Sequence, residues 1–393
     1  MLEAQSGLTG VEVDGKNPAT SLLDNSAALN ISVLRVFATG VEPELPLQVK
    51  EGVYNEVALK ALDQVLADAA QRGLRLVLLL ARNWGGPDSR AAFASWNGLA
   101  SPDHFYTSEA ARKAYRDHMA FMVNRVNTVN GKKYKDDPVI FSWNLMNEPR
   151  YLFNSTDDPC AKDPDKCTAN LQSWIEEMSA YLKQLDPNHL VTVGEEGFWS
   201  KSSPNAGDNP QPDSGWAAAT GQDFTTNHQI KTIDYGGIHI WPDNWNVTDQ
   251  AWMQRWIDAH MAVARQMNKP LVIEEFGKNV TSQDPAVIEK ERNPTFKTVM
   301  GALSKSLDSG DVLGGAKYWM ADPVLVDASS PGWSNYSQDQ VFFSSSTMKD
   351  IIAPAATQAA NKKDPVPGCT PQGAANGQAA STAGRKLLSV PLA

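Results

Sequence analysis

Short apolar segments alternate with longer amphipathic segments along most of this chain. Seven short segments are apolar at nearly every position, as in a strand buried on both faces; they lie at 31–38, 74–81, 139–146, 190–197, 235–241, 270–277 and 314–321. The longer segments carry apolar residues at every third or fourth position, as in a helix with one buried face; the clearest are 57–73, 108–127, 171–185 and 251–267. Buried strands that alternate with helices are typical of a parallel sheet covered by helices.

This alternation predicts an α/β fold, the (β/α)8 TIM barrel, with one of its eight strands unaccounted for. The first strand is the missing one, because the segment VEVDGK at 11–16 leads directly into the stretch that precedes 31–38. We therefore expect a barrel that lacks its first strand and exposes two strand edges. Two alternatives stay open. Residues 1–20 could fill the gap, or the strands could form a doubly wound open sheet, although no G-x-G-x-x-G follows the first strand.

Length and composition suit one large domain. The chain has 393 residues, of which 42% are hydrophobic and 20% charged, so a sizeable core can form. We expect residues 21–360 to form the barrel, preceded by an N-terminal remnant at 1–20. From residue 361 the sequence becomes rich in Pro, Gly, Ala, Ser and Gln, and 361–393 is predicted to be a disordered tail or a linker.

Charge and hydropathy exclude several classes of partner. The formal net charge is −10 and no cluster of Lys and Arg stands out, which argues against a nucleic-acid partner. The longest apolar run, LRLVLLLA at 74–81, is too short to cross a bilayer, so we expect no membrane partner. No signal peptide is recognisable at the start of the chain as given. We expect a monomer.

Cysteines and glycosylation motifs bear on the compartment. Cys160 and Cys167 bracket a polar loop, while Cys369 stands alone. The close pair is either a disulfide, which would indicate an oxidising compartment, or two free thiols, and both interpretations stay open. Five N-x-S/T motifs favour secretion and a glycoprotein: Asn30, Asn154, Asn246, Asn279 and Asn335. We therefore expect an extracellular or cell-wall location.

Polar and aromatic residues are concentrated where the strands end. The strand at 139–146 is the clearest case, because it leads into Asn147, Glu148, Pro149 and Arg150. For a single strand, an ordinary exit into solvent would explain such residues. The other strand ends carry Arg35; Arg82, Asn83 and Trp84; Glu195, Glu196, Phe198 and Trp199; His239, Trp241 and Asp243; Glu274, Glu275 and Phe276; Trp319 and Asp322.

In a barrel these ends meet at one mouth, which carboxylates and aromatic rings would then line. Two carboxylates across a cleft suit the cleavage of a glycosidic bond, because one must hold a proton while the other stays ionised. Tryptophans offer flat platforms for sugar rings, although Trp143 and Trp174 look structural by their periodicity. No H-E-x-x-H occurs and the six His are scattered, so we expect no metal and no cofactor.

Five stretches match a known family. They are VNRVNTVNGKKYKDDPVIFSWNLMNEPR, SWIEEMSAYLKQLDPNHLVTVGEEGFW, IHIWPDNW, KPLVIEEFGK and YWM. The combination is specific, because Asn-Glu-Pro-Arg at one strand end is followed about 125 residues later by Glu-Phe-Gly-Lys. From about Ser21 to Lys362 the chain resembles glycoside hydrolase family 5, and within it the endo-β-1,4-mannanases of plant type.

The resemblance implies a catalytic pair. Glu148 matches the general acid/base of the family, and Glu275 matches its nucleophile. Glu274 is the rival for the second role. Because successive strand residues face opposite ways, only one of the two can point into the mouth, and the match selects Glu275. The charge of Glu275 is expected to raise the pKa of Glu148 and so to keep its proton.

The resemblance also implies the residues that bind substrate. Asn147 matches the residue that bonds the sugar 2-hydroxyl, and Trp319 matches the platform under the −1 sugar. Arg35 and His239 match residues that orient and charge-tune the nucleophile. Positions that line the cleft in mannanases correspond to Asn83, Trp84, Arg150 and Glu196. Trp241 departs from the pattern, since plant members have a tyrosine there, and an indole cannot donate a phenolic hydroxyl to the nucleophile.

The implied activity is retaining hydrolysis of internal β-1,4-mannosidic linkages in mannan, glucomannan or galactomannan, with β-mannan as the substrate. Two alternatives stay open. One is another retaining β-1,4-glycanase or a transglycosylase. The other is a catalytically impaired barrel that only binds polysaccharide because its first strand is missing.

Overall fold

The computed structural model describes residues 2–3, 17–39, 46–86, 88–152, 162–247, 249–282, 284–321, 329 and 339–362. The strands in these ranges are β1 (Leu2–Glu3), β2 (Val33–Phe37), β3 (Gln48–Lys50), β4 (Val53–Tyr54), β5 (Arg75–Leu79), β6 (Ile140–Asn144), β7 (Leu190–Thr192), β8 (Gly236–Ile240), β9 (Leu271–Phe276) and β10 (Leu313–Tyr318). The α-helices are α1 (Pro18–Ala28), α2 (Glu56–Gln71), α3 (Arg90–Trp96), α4 (Glu109–Asn124), α5 (Pro164–Leu185), α6 (Phe224–Gln229), α7 (Gln250–Met267), α8 (Pro285–Ser309) and α9 (Ala353–Asn361).

Of the ten described strands, eight run parallel to their neighbours, and β3 and β4 form an antiparallel hairpin. The parallel strands make one sheet of order β1-β2-β5-β6-β7 and another of order β10-β9-β8. Backbone hydrogen bonds outside the ladders link β7 to β8: Asp234 donates to the Val191 carbonyl at 2.9 Å, and His239 to that of Glu196 at 3.0 Å. Eight parallel strands with helices between them form the (β/α)8 barrel.

The first strand of the barrel is present but short. Leu2 and Glu3 pair in parallel with Val36 and Phe37 of β2. The prediction that the chain lacks this strand is therefore not confirmed. Apolar patterning missed the strand because two residues are too few to show a period. Among the described residues no ladder joins β1 to β10, and most of β10 is half-buried rather than buried.

Capping residues set the ends of the outer helices. Asn55 accepts hydrogen bonds from the N–H groups of Val57 and Ala58 and so begins α2, which carries Glu56 in its first turn. At the other end of the chain, α8 stops at Gly310, whose φ of 67° lies in the left-handed region that favours glycine. These short-range signals fix where α2 begins and where α8 ends.

The barrel strands and the surrounding helices share one core. Trp143 of β6 and Trp174 of α5 are both fully buried, as their periodicity predicted. The Trp143 indole also donates to Asp186 at 2.7 Å, which ties β6 to the end of α5. Burial of one large apolar side chain contributes roughly 2–3 kcal/mol. Such packing on the outside of β6 fixes the position at which the strand ends.

Several predicted features lie outside the described residues: Cys160, Cys369, Asn154, Asn335, Asp322 and residues 363–393 of the predicted tail. Cys167 takes part in a disulfide bond. Of the other glycosylation motifs, Asn30 and Asn246 are exposed and Asn279 is half-buried. No described helix combines the length and the apolar character needed to cross a bilayer. The domain boundaries stay predictions.

Candidate active site

A cleft of about 640 Å³ opens at the carboxyl ends of the barrel strands. Eight of the eleven predicted site residues line it: Trp84, Asn147, Glu148, Arg150, Glu196, Trp241, Glu275 and Trp319. The other three, Arg35, Asn83 and His239, are buried. Arg35 and His239 contact the lining carboxylates, whereas Asn83 joins the site through its backbone N–H, which donates to the Asn147 carbonyl at 2.9 Å.

Glu148 stands just beyond β6 on a backbone of unusual conformation. Its φ of 52° lies in the left-handed region, which residues with a side chain rarely adopt, and its N–H donates to the Gly194 carbonyl at 2.7 Å. Both carboxylate oxygens have partners. His239 Nδ1 lies 2.8 Å from Oε1, and the indole N–H of Trp84 donates to Oε2. The turn after β6 thus aims this carboxylate into the cleft.

Glu275 lies in β9 and is held by different groups. Arg35 of β2 donates to its Oε2 at 2.9 Å, and the Trp241 indole donates to its Oε1 at 3.0 Å. Arg35 also donates to Asn147 Oδ1 at 2.8 Å, so one guanidinium links this carboxylate to the residue that precedes Glu148. A buried guanidinium keeps its charge. Glu275 therefore has one permanent cation and one indole donor to stabilise it as an anion.

A bulge in β9 places Glu275 and its rival, Glu274, in different surroundings. Consecutive residues of β8 face Ile273 and Glu275, so Glu274 is the extra residue of the bulge. Its carboxylate accepts hydrogen bonds from Asn144 Nδ2 at 3.0 Å and from the Tyr235 hydroxyl at 3.3 Å, and it is buried. Of the two, only Glu275 lines the cleft. Simple alternation of side chains does not explain this choice, because Glu274 turns into the barrel interior instead of outward.

The carboxylates of Glu148 and Glu275 lie close together. One oxygen of Glu148, one of Glu275 and a ring nitrogen of His239 are all within 4.8 Å of one another. His239 Nδ1 is 2.8 Å from Glu148 Oε1 but 3.9 Å from Glu275 Oε1. The hydrogen bond of His239 therefore goes to Glu148, while its charge also lowers the pKa of Glu275, and its expected role toward the nucleophile stays a prediction. These three groups could ligate a metal ion, but Arg35 already places a fixed positive charge against Glu275.

The pKa of Glu148 is lowered, whereas the pKa values of Glu275 and His239 are raised. Burial raises the pKa of Glu148, but the hydrogen bond and charge of His239 outweigh burial and lower the pKa to about 2. For Glu275, burial raises the pKa, His239 lowers it and Glu148 raises it again, so that it ends above its ordinary value. Burial lowers the pKa of His239, but the two carboxylates raise it overall. The expectation that Glu275 raises the pKa of Glu148 is wrong for this structure, because His239 is the closer partner.

Arg150 organises the wall of the cleft on the β6 side. Its guanidinium pairs with Glu196 Oε1 at 3.0 Å and lies 4.6 Å from the centre of the Trp84 ring. The same guanidinium lies 5.9 Å from the centre of the Trp216 ring. Gln222 donates a hydrogen bond to the other carboxylate oxygen of Glu196. Burial raises the pKa of Glu196 to about 7, although Arg150 opposes the shift. Sequence reasoning missed Trp216 and Gln222, which lie between β7 and α6 and belong to no strand end.

Residues 12–342 match the family model described as GH family 5 beta-mannosidase-like. The chain belongs to glycoside hydrolase family 5. It is 33% identical over 360 residues to mannan endo-1,4-beta-mannosidase 1 of Arabidopsis thaliana, a match that covers 89% of this chain and 82% of that protein. The solved endo-beta-1,4-mannanase from Thermotoga petrophila is 26% identical with a TM-score of 0.72, covering 86% of this chain and 72% of that one. The endo-1,4-beta-mannanase from Rhizomucor miehei shares the fold, with 24% identity, a TM-score of 0.73 and coverage of 92% and 94%.

Membership of family 5 makes the chain a glycoside hydrolase and accounts for its barrel. Trp241 is the position at which the sequence was expected to depart from the plant-type pattern. The phenolic donor of that pattern is absent, but the indole N–H of Trp241 donates to Glu275 at 3.0 Å. A hydrogen-bond donor to this carboxylate is therefore retained in a different chemical form.

Proposed function

We propose that this family 5 enzyme hydrolyses internal β-1,4-mannosidic bonds by double displacement, with Glu275 as the nucleophile and Glu148 as the general acid/base. The spacing of the two carboxylates carries the proposal. Their nearest oxygens lie within 4.8 Å, which agrees with the roughly 5–5.5 Å separation of retaining glycosidases and is shorter than the roughly 6.5–9.5 Å gap of inverting enzymes.

In the first step, Glu275 attacks the anomeric carbon while Glu148 gives its proton to the leaving oxygen. The glycosidic bond breaks, the aglycone leaves as an alcohol, and the sugar becomes an ester of Glu275. Arg35 and Trp241 keep the nucleophile ionised and in place until the attack. Arg35 also holds Asn147 Oδ1, so the amide nitrogen of Asn147 is the group that we assign to the sugar 2-hydroxyl.

In the second step, Glu148 takes a proton from water and the resulting hydroxide attacks the same carbon. The ester breaks, Glu275 leaves as a carboxylate, and the product keeps the configuration of the substrate. Once Glu275 is an ester it has no charge, so His239 has one carboxylate partner instead of two. The proton between His239 Nδ1 and Glu148 Oε1 can therefore lie on a different one of these two groups in the second step than in the first.

The substrate class comes from the relatives and from the walls of the cleft. The matched proteins are named as mannanases, and Trp319 lies at the cleft where it can support the −1 sugar. We therefore assign mannan, glucomannan or galactomannan as the substrate. An extracellular or cell-wall location agrees with the disulfide of Cys167. A monomer without a cofactor, a nucleic-acid partner or a membrane partner completes the proposal.

The open alternatives differ in what they predict for substrates. Another β-1,4-glycanase would prefer a glucan, and a transglycosylase would lengthen oligosaccharides instead of shortening them. The impaired-barrel alternative rested on a missing first strand, and β1 removes that argument.

A panel of mannan, glucomannan, galactomannan and cellulose tests the proposal. We expect reducing ends and a rapid fall in viscosity with the mannans, and β-anomeric ends in early proton NMR spectra. A folded enzyme that cleaves only cellulose, or α-anomeric ends from β-mannan, would refute it.

A further inference from the structure

Both oxygens of Glu148 accept hydrogen bonds, but their two partners differ in accessibility. His239, which faces Oε1 at 2.8 Å, is fully buried. Trp84, which donates to Oε2, is 40% exposed and lines the cleft. Oε2 is therefore the carboxylate oxygen that a sugar in the cleft can approach.

Substrate and Trp84 thus compete for the same atom. A general acid must present its proton to the leaving oxygen within hydrogen-bonding distance, whereas an oxygen that accepts the indole N–H cannot also donate along that direction. The other charged or titratable groups near Glu148 are Glu275 on β9, Arg150 on the adjacent turn and Glu196 after β7. None of these three replaces the Trp84 bond to Oε2.

Arg150 holds the indole in its position. The guanidinium lies 4.6 Å from the centre of the Trp84 ring and is itself anchored by Glu196 at 3.0 Å. A cation over the face of a ring fixes the plane of that ring, so the N–H edge of Trp84 stays directed at Glu148. The exposed side of the ring remains available to a sugar.

We infer that Trp84 is a positioning residue for the general acid: together with His239, its indole keeps Glu148 ionised, and a bound sugar chain that draws the N–H away frees Oε2 to take a proton from water. This rests on the proposed function, because it concerns the acid step of that reaction. Oε2 gains one proton from solvent, and the same proton then passes to the leaving oxygen. The proton that Glu148 takes from water in the second step returns to solvent when the product leaves and the indole N–H bonds to Oε2 again. The lowered pKa of Glu148, to which Trp84 contributes, agrees with an ionised resting form.

The variant Trp84→Phe tests this, since it keeps a ring beneath Arg150 and removes only the donor. Without the donor, the pKa of Glu148 rises in the free enzyme. Because the pKa of Glu148 lies below that of Glu275, the acid limb of the kcat/KM profile reports Glu148. We expect this acid limb, measured on mannohexaose, to move up by about one pH unit, as the loss of one charge-assisted hydrogen bond predicts. Trp84→His, which retains an N–H donor, should leave the limb nearer to that of the wild type.

The matched control is Trp216→Phe, because Trp216 contacts the same guanidinium at 5.9 Å but has no bond to Glu148. That variant should leave the acid limb in place whatever it does to KM. An unmoved limb in folded, active Trp84→Phe enzyme, or an equal shift in both phenylalanine variants, would overturn the inference and leave Trp84 as a sugar platform. A folded wild-type enzyme that cleaves no mannan would refute the proposed function, which is a distinct result.

Discussion

Glu148 and Glu275 share one cleft, yet the barrel holds them in opposite ways. Glu275 belongs to a strand and bonds to the buried guanidinium of Arg35 and to the Trp241 indole. Glu148 lies beyond a strand on a left-handed backbone, and its partners are a titratable imidazole and the half-exposed indole of Trp84. One carboxylate has fixed surroundings and the other has surroundings that can change.

This difference fits two chemical tasks. A nucleophile needs a fixed position and a constant negative charge, whereas an acid/base residue changes its protonation state twice in each catalytic cycle. Permanent donors suit the first task, and donors that can themselves move or titrate suit the second. Variants that exchange or remove these donors should therefore act differently at the two carboxylates.

Replacing the carboxylates themselves should have the largest effect. Glu275→Gln removes the nucleophile and should lower kcat on mannan by several orders of magnitude, while Glu148→Gln should cost about 10²–10⁴-fold. An aryl mannoside whose leaving group needs no protonation should restore the first step in Glu148→Gln but not in Glu275→Gln. Burst kinetics of aryl release measure this step. The opposite pattern of rescue would exchange the two assignments, and Glu109→Gln on the surface serves as the control.

Removing the indole donor to the nucleophile should have a smaller effect. Trp241→Phe deletes the 3.0 Å bond to Glu275 and should lower kcat by about 10-fold, as the loss of one hydrogen bond to a charged group predicts. Trp241→Tyr can supply a phenolic donor, as in the plant-type pattern, and should lose less. Steady-state kinetics with unchanged thermal midpoints measure both. Equal losses in the two variants would show that the ring, not the donor, is what matters.

Replacing Glu196, on the wall beside Glu148, should change how stability depends on pH. Burial raises its pKa to about 7, so its stabilising contribution is complete below about pH 4.5 and is lost as the pH rises through about 7. Glu196→Gln should abolish this decline, which amounts to at most about 3 kcal/mol. Denaturant unfolding at pH 5 and pH 8 measures it. The control is Glu109→Gln, which removes an exposed carboxylate whose pKa is lowered, so the decline in stability should remain. The account would be contradicted if the Glu196→Gln enzyme showed the same decline.

Much of the site could be predicted because parallel strands bring their carboxyl ends to one edge. Four site residues lie far apart in the sequence, but each lies in or directly after an apolar segment: Glu148, Glu275, Arg35 and Trp319. Strand periodicity was therefore sufficient to predict that they meet at one mouth of the barrel. The family motifs then supplied their roles. Local patterns were sufficient here because buried strands and their exits have clear signatures.

The features that escaped prediction have no such signature. The two residues of β1 are too short to show a period, and the bulge that turns Glu274 inward depends on the pairing of three strands. The choice of His239 between the two carboxylates is a difference of 2.8 Å against 3.9 Å, which no spacing in the sequence reports. Gln222 reaches Glu196 from an irregular segment, where burial is set by tertiary contacts instead of periodicity.

The central claim, that Glu275 is the nucleophile and Glu148 is not, is tested most directly by trapping the covalent intermediate. A 2-deoxy-2-fluoro-mannosyl fluoride slows the second step more than the first, so the sugar should accumulate as an ester on the enzyme. Digestion and mass spectrometry of the inactivated protein should place one fluorinated sugar on Glu275, with none on the Glu275→Gln variant. An ester on Glu148 or on the buried Glu274, or inactivation that leaves no sugar attached to the protein, would contradict the account.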